Sequence, residues 1–273
     1  MTPFLTRQQR FESVGSTNDV VRGWLAEGTP EVCLAVADEQ TAGRGRAGRS
    51  WIAPGGAALL LSLGFRPAWL DPERAWRLAA IAALAMADAA EEVAGLRDGA
   101  IRLKWPNDLV VEDDAPVPQG SVRKLAGLLG ETDGLGTPDP RVVVGLGINA
   151  DWPSARFPVE LAGSMTSLRE ASHGRPIDLA LLLDAFLGRM EARVEALRGG
   201  RFDVADWQDR QLTTGRIVRL EGPQGSETVR ALGVDVSTGA LLVEDATAPR
   251  GERQVIVGEV SHVRLTAPAG SVV

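Results

Sequence analysis

Residues 40–51 read QTAGRGRAGRSW and set three arginines among three glycines. Gly43, Gly45 and Gly48 let main-chain N–H groups approach an anion closely, while Arg44, Arg46 and Arg49 offer permanently charged planar forks shaped for phosphate or carboxylate oxygens. The chemistry implied is a clamp on a small polyanion. On spacing alone a solvated or RNA-tethering RG-type loop is an equal reading, and the missing lysine excludes a Walker P-loop. Two further stretches carry reactive groups. KWPNDL, residues 104–109, gathers Lys104, Asn107 and Asp108 around Pro106, where they form a plain turn or a set of polar groups fixed at a strand end. Asp108 is there a cap or a ligand for magnesium bridging ATP phosphates. Lys124 opens the apolar KLAGLLGE, and its ammonium either snorkels to water or sits in a site against a carboxylate.

The totals narrow the partner. The 273 residues are 44% hydrophobic, enough for a sizeable core, and carry a net charge of −7. That charge disfavours a broad grip on nucleic acid or anionic lipid but leaves a local basic loop free to hold a small polyanion. Cys33 is the only cysteine and His173 and His262 the only histidines, which rules out an intrachain disulfide framework and argues against a Cys/His zinc cluster. No leader-like apolar run follows Met1, and no stretch approaches the ~20 apolar residues of a membrane span. A cytoplasmic protein without membrane contact is expected.

These groups need elements to hold them. STNDVVRGWLAEG predicts a short helix, with Ser16 and Asp19 as a capping pair and Val20, Val21, Trp24 and Leu25 on one face. EVCLAVADEQ and AALLLSLGF predict strands, which makes the Arg/Gly segment a strand-to-strand loop with no packing reason to settle. Residues 71–95 predict one long buried helix, with Asp71 as cap, Pro72 at its first position and Gly95 as stop. IRLKW, DLVVE, KLAGLLGE and RVVVGLGIN are consecutive strand candidates, joined by the turn-rich DDAPVPQGSVR and TDGLGTPDP, so an antiparallel or mixed sheet is expected. Residues 150–171 read as a Pro-containing loop and IDLALLLDAFLGRMEARVEALRGG as a second amphipathic helix. From Thr214 onward RIVRLEG, ETVRALGVD, ALLVED and RQVIVGEVSHVRL are short, β-prone and Gly- or Asp-bounded, as in a small barrel. The expected domains are residues 1–212 and 213–273.

Taken in order, STN, QxxGRGRxGRxW, KWPNDL, KLAGLLGE and GLGIN resemble the biotin–protein ligase family, and the likeness runs from Phe11 to about Leu265. It implies an α+β fold, a mixed β-sheet with flanking helices followed by a small SH3-like β-barrel. It implies a two-step reaction in which the carboxylate of biotin attacks the α-phosphate of ATP and a lysine of a biotin carboxyl carrier domain then attacks the acyl-adenylate. Mg2+ is expected with ATP, held at Asp108. By motif position the resemblance assigns Ser16, Thr17, Asn18, Gln40, Arg44, Gly45, Arg46 and Lys124 to biotin, with Lys124 and Arg46 catalytic. It assigns Gly43, Arg46, Arg49, Trp51, Lys104, Asn107 and Asn149 to ATP. Trp152 and Met165 both remain open as the residue that stacks on adenine. Hydroxyl and amide side chains suit a ureido group, which has one acceptor oxygen and two N–H donors, although Ser16 also reads as a simple helix cap.

Ala47 departs from relatives that have a further arginine, leaving this loop one charge fewer. The chain begins just before the first motif, so a DNA-binding helix-turn-helix domain and an operator role are not expected. Either a monomer or a homodimer fits. Two other readings stay open: a lipoate–protein ligase, and a non-catalytic module that senses biotin or nucleotide.

Overall fold

The computed structural model describes residues 4–112, 122–222, 225–257 and 262–265. Seven strands form one mixed sheet: β1 (Arg7–Val14), β2 (Cys33–Gln40), β3 (Ala58–Phe65), β4 (Ile101–Lys104), β5 (Asp108–Glu112), β6 (Val122–Asp133) and β7 (Arg141–Asn149). Their spatial order is β1-β2-β3-β7-β6-β5-β4, with β1 and β2 parallel and every other neighbouring pair antiparallel. The parallel pair needs a crossover, and α1 (Thr17–Ala26) supplies it. The helices α2 (Arg77–Ala94), α3 (Leu168–Ala171), α4 (Leu179–Arg198) and α5 (Val204–Asp209) complete this part.

Period-two alternation gives the sheet two different faces. Leu59, Leu61, Leu63 and Phe65 of β3 and Val142, Val144, Leu146 and Ile148 of β7 join the main core with Leu78, Ile81, Leu84 and Met86 of α2 and Phe186 and Met190 of α4. Each such side chain contributes about 1.5–3 kcal/mol by leaving water. The alternate positions of the same strands, Leu60, Ser62 and Gly64 on β3 and Val143, Gly145, Gly147 and Asn149 on β7, point the other way. There α1 packs Val21, Trp24 and Leu25 against Cys33, Ala35 and Val143. Small residues dominate that face where the chain passes close over it, and the cavities described below open there.

Five further strands, β8 (Ile217–Gly222), β9 (Gly225–Val234), β10 (Leu241–Glu244), β11 (Glu252–Val255) and β12 (His262–Leu265), form a second, wholly antiparallel sheet in the order β11-β10-β9-β8-β12, compatible with an SH3-like domain. Residues 210–213 are stitched to β4 by Leu103 N to Arg210 O, Leu212 N to Leu103 O, and Trp105 N to Thr213 Oγ1. The second sheet also touches the first unit, because Trp76 and Trp105 donate their indole N–H groups to Ser237 O and Gly239 O.

Several details differ from the sequence expectations. Strand β1 had no predicted element: RQQRFESV has too few apolar positions to alternate, and as an edge strand it needs only main-chain pairing on one side. The predicted helix over 71–95 opens as a 3-10 turn at Pro72–Arg74, and α2 proper starts at Arg77, with Gly95 left-handed at its end as expected. Residues 150–171 hold a 3-10 turn and α3. The stretch RQVIVGEVSHVRL divides into β11 and β12. The Ser16–Asp19 capping pair does not form. Ser16 makes no side-chain cap bond, Gln40 Oε1 accepts the Thr17 N–H instead, and Asp19 is held by Arg22 and Arg44. Most of the predicted connection DDAPVPQGSVR lies outside the described residues.

Candidate active site

The start of α1 and the end of β2 meet over the small-residue face of the sheet. Gln40 Oε1 accepts from Thr17 N at 2.8 Å and from Thr17 Oγ1 at 3.1 Å. Ser62 Oγ lies 2.7 Å from Thr17 Oγ1 and 2.6 Å from Asn18 Oδ1. Asn18 Nδ2 donates to Glu131 Oε2 at 3.0 Å. Asn18 sits above Gly145, where an alanine methyl would overlap its Oδ1. Ser16, Thr17 and Asn18 are all buried, and hydrogen bonds hold the latter two in place.

The Arg/Gly segment, a strand-to-strand connection as expected, forms a small hairpin. Gly45 N donates to Arg49 O at 2.6 Å and Trp51 N to Gly43 O at 2.9 Å, while Arg49 N closes the tip on Arg46 O at 3.2 Å. Ala47 at φ 54° and Gly48 at φ 71° occupy the two tip positions. Paired left-handed residues are what a two-residue hairpin turn requires, and an alanine there costs about 1–2 kcal/mol relative to its right-handed form. Gly43 has no room for a side chain beside Trp51 O, so its part is to close the hairpin. Arg44 points out of the cluster to Asp19 and Glu131, at 2.7 and 3.3 Å. The Arg44 hydrogen bond holds the Asp19 carboxyl below its ordinary range, and the same contact raises Arg44. Arg46 donates to Val257 O at 2.6 Å and so ties the hairpin to the second sheet; burial and the charge of Arg49 lower its proton affinity.

Trp51 answers why an aromatic ring closes the motif. Its ring lies on the bare backbone of Gly127 and Gly147, where added methyls would approach to 3.1 and 2.6 Å. Lys124 Nζ stands 5.4 Å from the ring centroid. The indole N–H is buried without a hydrogen-bond partner. Lys124 does not snorkel: its ammonium pairs with Asp108 Oδ1 at 2.6 Å, and Lys104 reaches Asp108 Oδ2 at 3.7 Å. Lys104 is mostly buried, and desolvation pulls its proton affinity down against the opposing pull of Asp108.

Two adjoining cavities share Arg49, Ser50, Trp51 and Lys124. The smaller, about 110 Å³, is lined by Ser16, Thr17, Asn18, Gln40, Arg44, Gly45 and Arg46. The larger, about 560 Å³, is lined by Lys104, Asp108, Asn149, Trp152, Met165 and, from β12, Arg264. Both side chains left open as stackers, Trp152 and Met165, are therefore on its wall. Among the described lining residues of these two cavities Asp108 is the one carboxylate, against Arg44, Arg46, Arg49, Lys104, Lys124 and Arg264, a balance that attracts polyanions. Asn107 lies apart from the larger cavity: it lines the smaller one, and its Nδ2 is spent on Leu128 O at 2.6 Å. Asn149 lines the larger one while its Nδ2 holds Thr166 O at 2.9 Å. Asp108 has two ammonium neighbours, and no group of three metal-ligating side chains occurs among the described residues. Alone it is not a built magnesium site.

Sequence reasoning missed Ser62, Gly127 and the contribution of β12. Ser62 is hidden in an apolar run, and the only available signal was its being the one hydroxyl on the outward phase of β3.

The chain is similar to known proteins along most of its length. Residues 10–149 match the model of the biotin/lipoate A/B protein ligase family. The chain is 33% identical over 255 residues to a biotin–[acetyl-CoA-carboxylase] ligase of Mycobacterium tuberculosis, covering 92% of this chain and 86% of that protein. It is 35% identical over 234 residues to the bifunctional ligase/repressor BirA of Escherichia coli, covering 85% and 67%. The Aquifex aeolicus biotin protein ligase, solved with biotin and ATP, superposes with a TM-score of 0.75 at 25% identity over 96% of this chain and all of the other.

Proposed function

This chain belongs to the biotin/lipoate A/B protein ligase family, and from that premise we propose that it is an ATP-dependent biotin ligase that forms biotinyl-5'-AMP and passes the biotinyl group to a lysine of a biotin carboxyl carrier domain. The observation that carries the reading is the shared wall of the two cavities, where Lys124, Arg49 and Trp51 stand between an acceptor-rich pocket and a larger cation-lined one.

In this reading the ureido ring sits among Ser16, Thr17, Asn18 and Gln40, and its carboxylate reaches Lys124. ATP lies in the larger cavity with its α-phosphate toward the same ammonium. Bringing two anions together is the difficulty of the first step, and positioned cations offset both the approach and the charge gathering on the phosphoryl oxygens. A carboxylate oxygen bonds to the α-phosphorus as the bond to pyrophosphate breaks. Asp108 fixes Lys124 in place, while Arg46 and Arg49 cover the phosphates. In the second step the neutral carrier amine attacks the acyl carbon and AMP departs. Were Mg2+ to enter with ATP, Asp108 would be the one acidic side chain among the described residues of the cavity walls able to contribute to holding it, and the ion would supply charge neutralisation at the phosphates. The smaller cavity falls below the ~300 Å³ usual for a ligand site, so entry of the vitamin displaces the Arg46 hairpin.

The proposal includes a two-domain division at Thr213, with β12 completing the nucleotide wall, and a cytoplasmic place of work. A lipoate ligase reading accounts less well for the four polar side chains at the pocket floor, to which a dithiolane ring offers no hydrogen bond. Pyrophosphate release from purified protein with ATP and either acid separates the two: release with biotin is expected, and release with lipoate alone would replace this reading.

A further inference from the structure

Ser62 is fully buried on β3 and lines neither cavity, yet it touches two of the side chains that do. Four oxygens stand in a row: Gln40 Oε1, Thr17 Oγ1, Ser62 Oγ and Asn18 Oδ1, with successive separations of 3.1, 2.7 and 2.6 Å. Each separation calls for one hydrogen, and the two ends are amide oxygens that donate none. Neither amide can turn over to help. Gln40 Oε1 also accepts the Thr17 main-chain N–H at 2.8 Å. Asn18 directs its Nδ2 at Glu131 Oε2 and the Leu129 carbonyl, where an amide oxygen would be repelled. The hydroxyls of Thr17 and Ser62 therefore bring two hydrogens to three contacts, and the row is one short.

We propose that Ser62 is a positioning and specificity residue for the acid substrate: it holds the oxygens of Thr17 and Asn18, with Gln40 beyond Thr17, in a row richer in acceptors than in donors, so that the cavity-lining members of the row present an acceptor to an N–H group of the ligand. The inference rests on the biotin ligase reading, since the ureido ring carries two N–H donors. It explains why a hydroxyl stands in the apolar run ALLLSLGF, and why Gly145 leaves its side-chain space to Asn18. A site with unpaired acceptors discriminates against an analogue that lacks the donor far better than an apolar pocket discriminates against one methylene.

Ser62→Ala and Ser62→Cys test this by steady-state pyrophosphate release, with thermal unfolding recorded for each. Ser62→Ala loosens the row, and the expected result is a KM for biotin raised about tenfold, the equivalent of ~1.4 kcal/mol, with kcat and the KM for ATP changed less than about twofold. Ser62→Cys keeps the shape with a weaker donor and falls between, and it carries the comparison if the alanine variant does not fold. A cyclic-carbonate analogue of biotin, with ring oxygens in place of both N–H groups, inhibits wild type and variant equally. An unchanged KM for biotin, KM values for biotin and ATP rising together, or a carbonate analogue that weakens as much as biotin would overturn the role of Ser62 while leaving the ligase reading intact. Absence of biotin-dependent pyrophosphate release in the wild-type chain would instead remove that reading and this one with it.

Discussion

Replacing Gly147 with alanine adds one methyl to a strand whose backbone accepts any residue, so its effect should come from Trp51 alone. The methyl would sit 2.6 Å from Cε2, 2.7 Å from Nε1 and 3.0 Å from Cζ2 of that ring. Carbon atoms rest about 3.5–4.0 Å apart, so the indole must retreat by roughly 1 Å. Overpacking of this size costs about 1–3 kcal/mol. For a domain of this length each kcal/mol moves Tm by about 2–4 °C, so a fall of roughly 2–12 °C is expected. The ring retreats into the wall that both cavities share, and the KM values for ATP and biotin rise with it. Thermal unfolding of Gly147→Ala, Trp51→Ala and the double variant isolates the cause. With the ring gone the methyl has open space, and its cost should drop below about 0.5 kcal/mol. An equal loss of Tm in both backgrounds would refute the glycine-platform account of Trp51.

Lys124→Gln removes the ammonium at the shared wall and should lower kcat for biotin-dependent pyrophosphate release about 10²–10³-fold, the usual loss when one donor to developing charge is deleted; single-turnover kinetics with saturating substrates provide the check. Arg46→Gly cuts the tie to Val257 and uncovers the adenylate, so free biotinyl-adenylate in the medium should increase over wild type while its synthesis continues. Chromatography of quenched reactions measures it, and no increase would count against the covering role. Asp19 titrates below its ordinary 3.8 because Arg44 hydrogen-bonds it. Its contribution to stability is thus present above 3.8 and lost as pH falls through the lowered value. The Tm difference between wild type and Asp19→Asn should be constant near neutrality and close on acidification, as calorimetry across pH would record.

Local features were legible in the amino-acid order, and pairings across strands were not. Gly43 to Trp51 suggested an anion clamp because charge and chain freedom sit together in nine residues. The strands followed from apolar runs bounded by Gly and Asp, and α2 from its alanine-rich apolar run and its stop at Gly95, whereas Asp71 and Pro72 marked the 3-10 turn that precedes it. By contrast, Asp108 and Lys124 lie on adjacent strands sixteen positions apart, and nothing local distinguishes a snorkelling lysine from one paired at 2.6 Å. Arg44, assigned to biotin by its motif position, lines the smaller cavity, but its pairing with Asp19 and Glu131, brought to it by α1 and β6, was not legible. The seat of the hairpin's closing Trp51 was not legible, because Gly127 and Gly147 beneath it come from strands far along the chain. Strand β1 escaped notice because an edge needs no apolar face, and Ser62 because its neighbours are contributed by other elements.

Incubating the purified protein with ATP, magnesium, biotin and a biotin carboxyl carrier domain, then weighing the intact carrier by mass spectrometry, tests the central claim most directly. One biotinyl group on a single carrier lysine, dependent on ATP and lost with Lys124→Gln, is the predicted result. An unmodified carrier under conditions where the protein is folded and binds biotin would contradict the account.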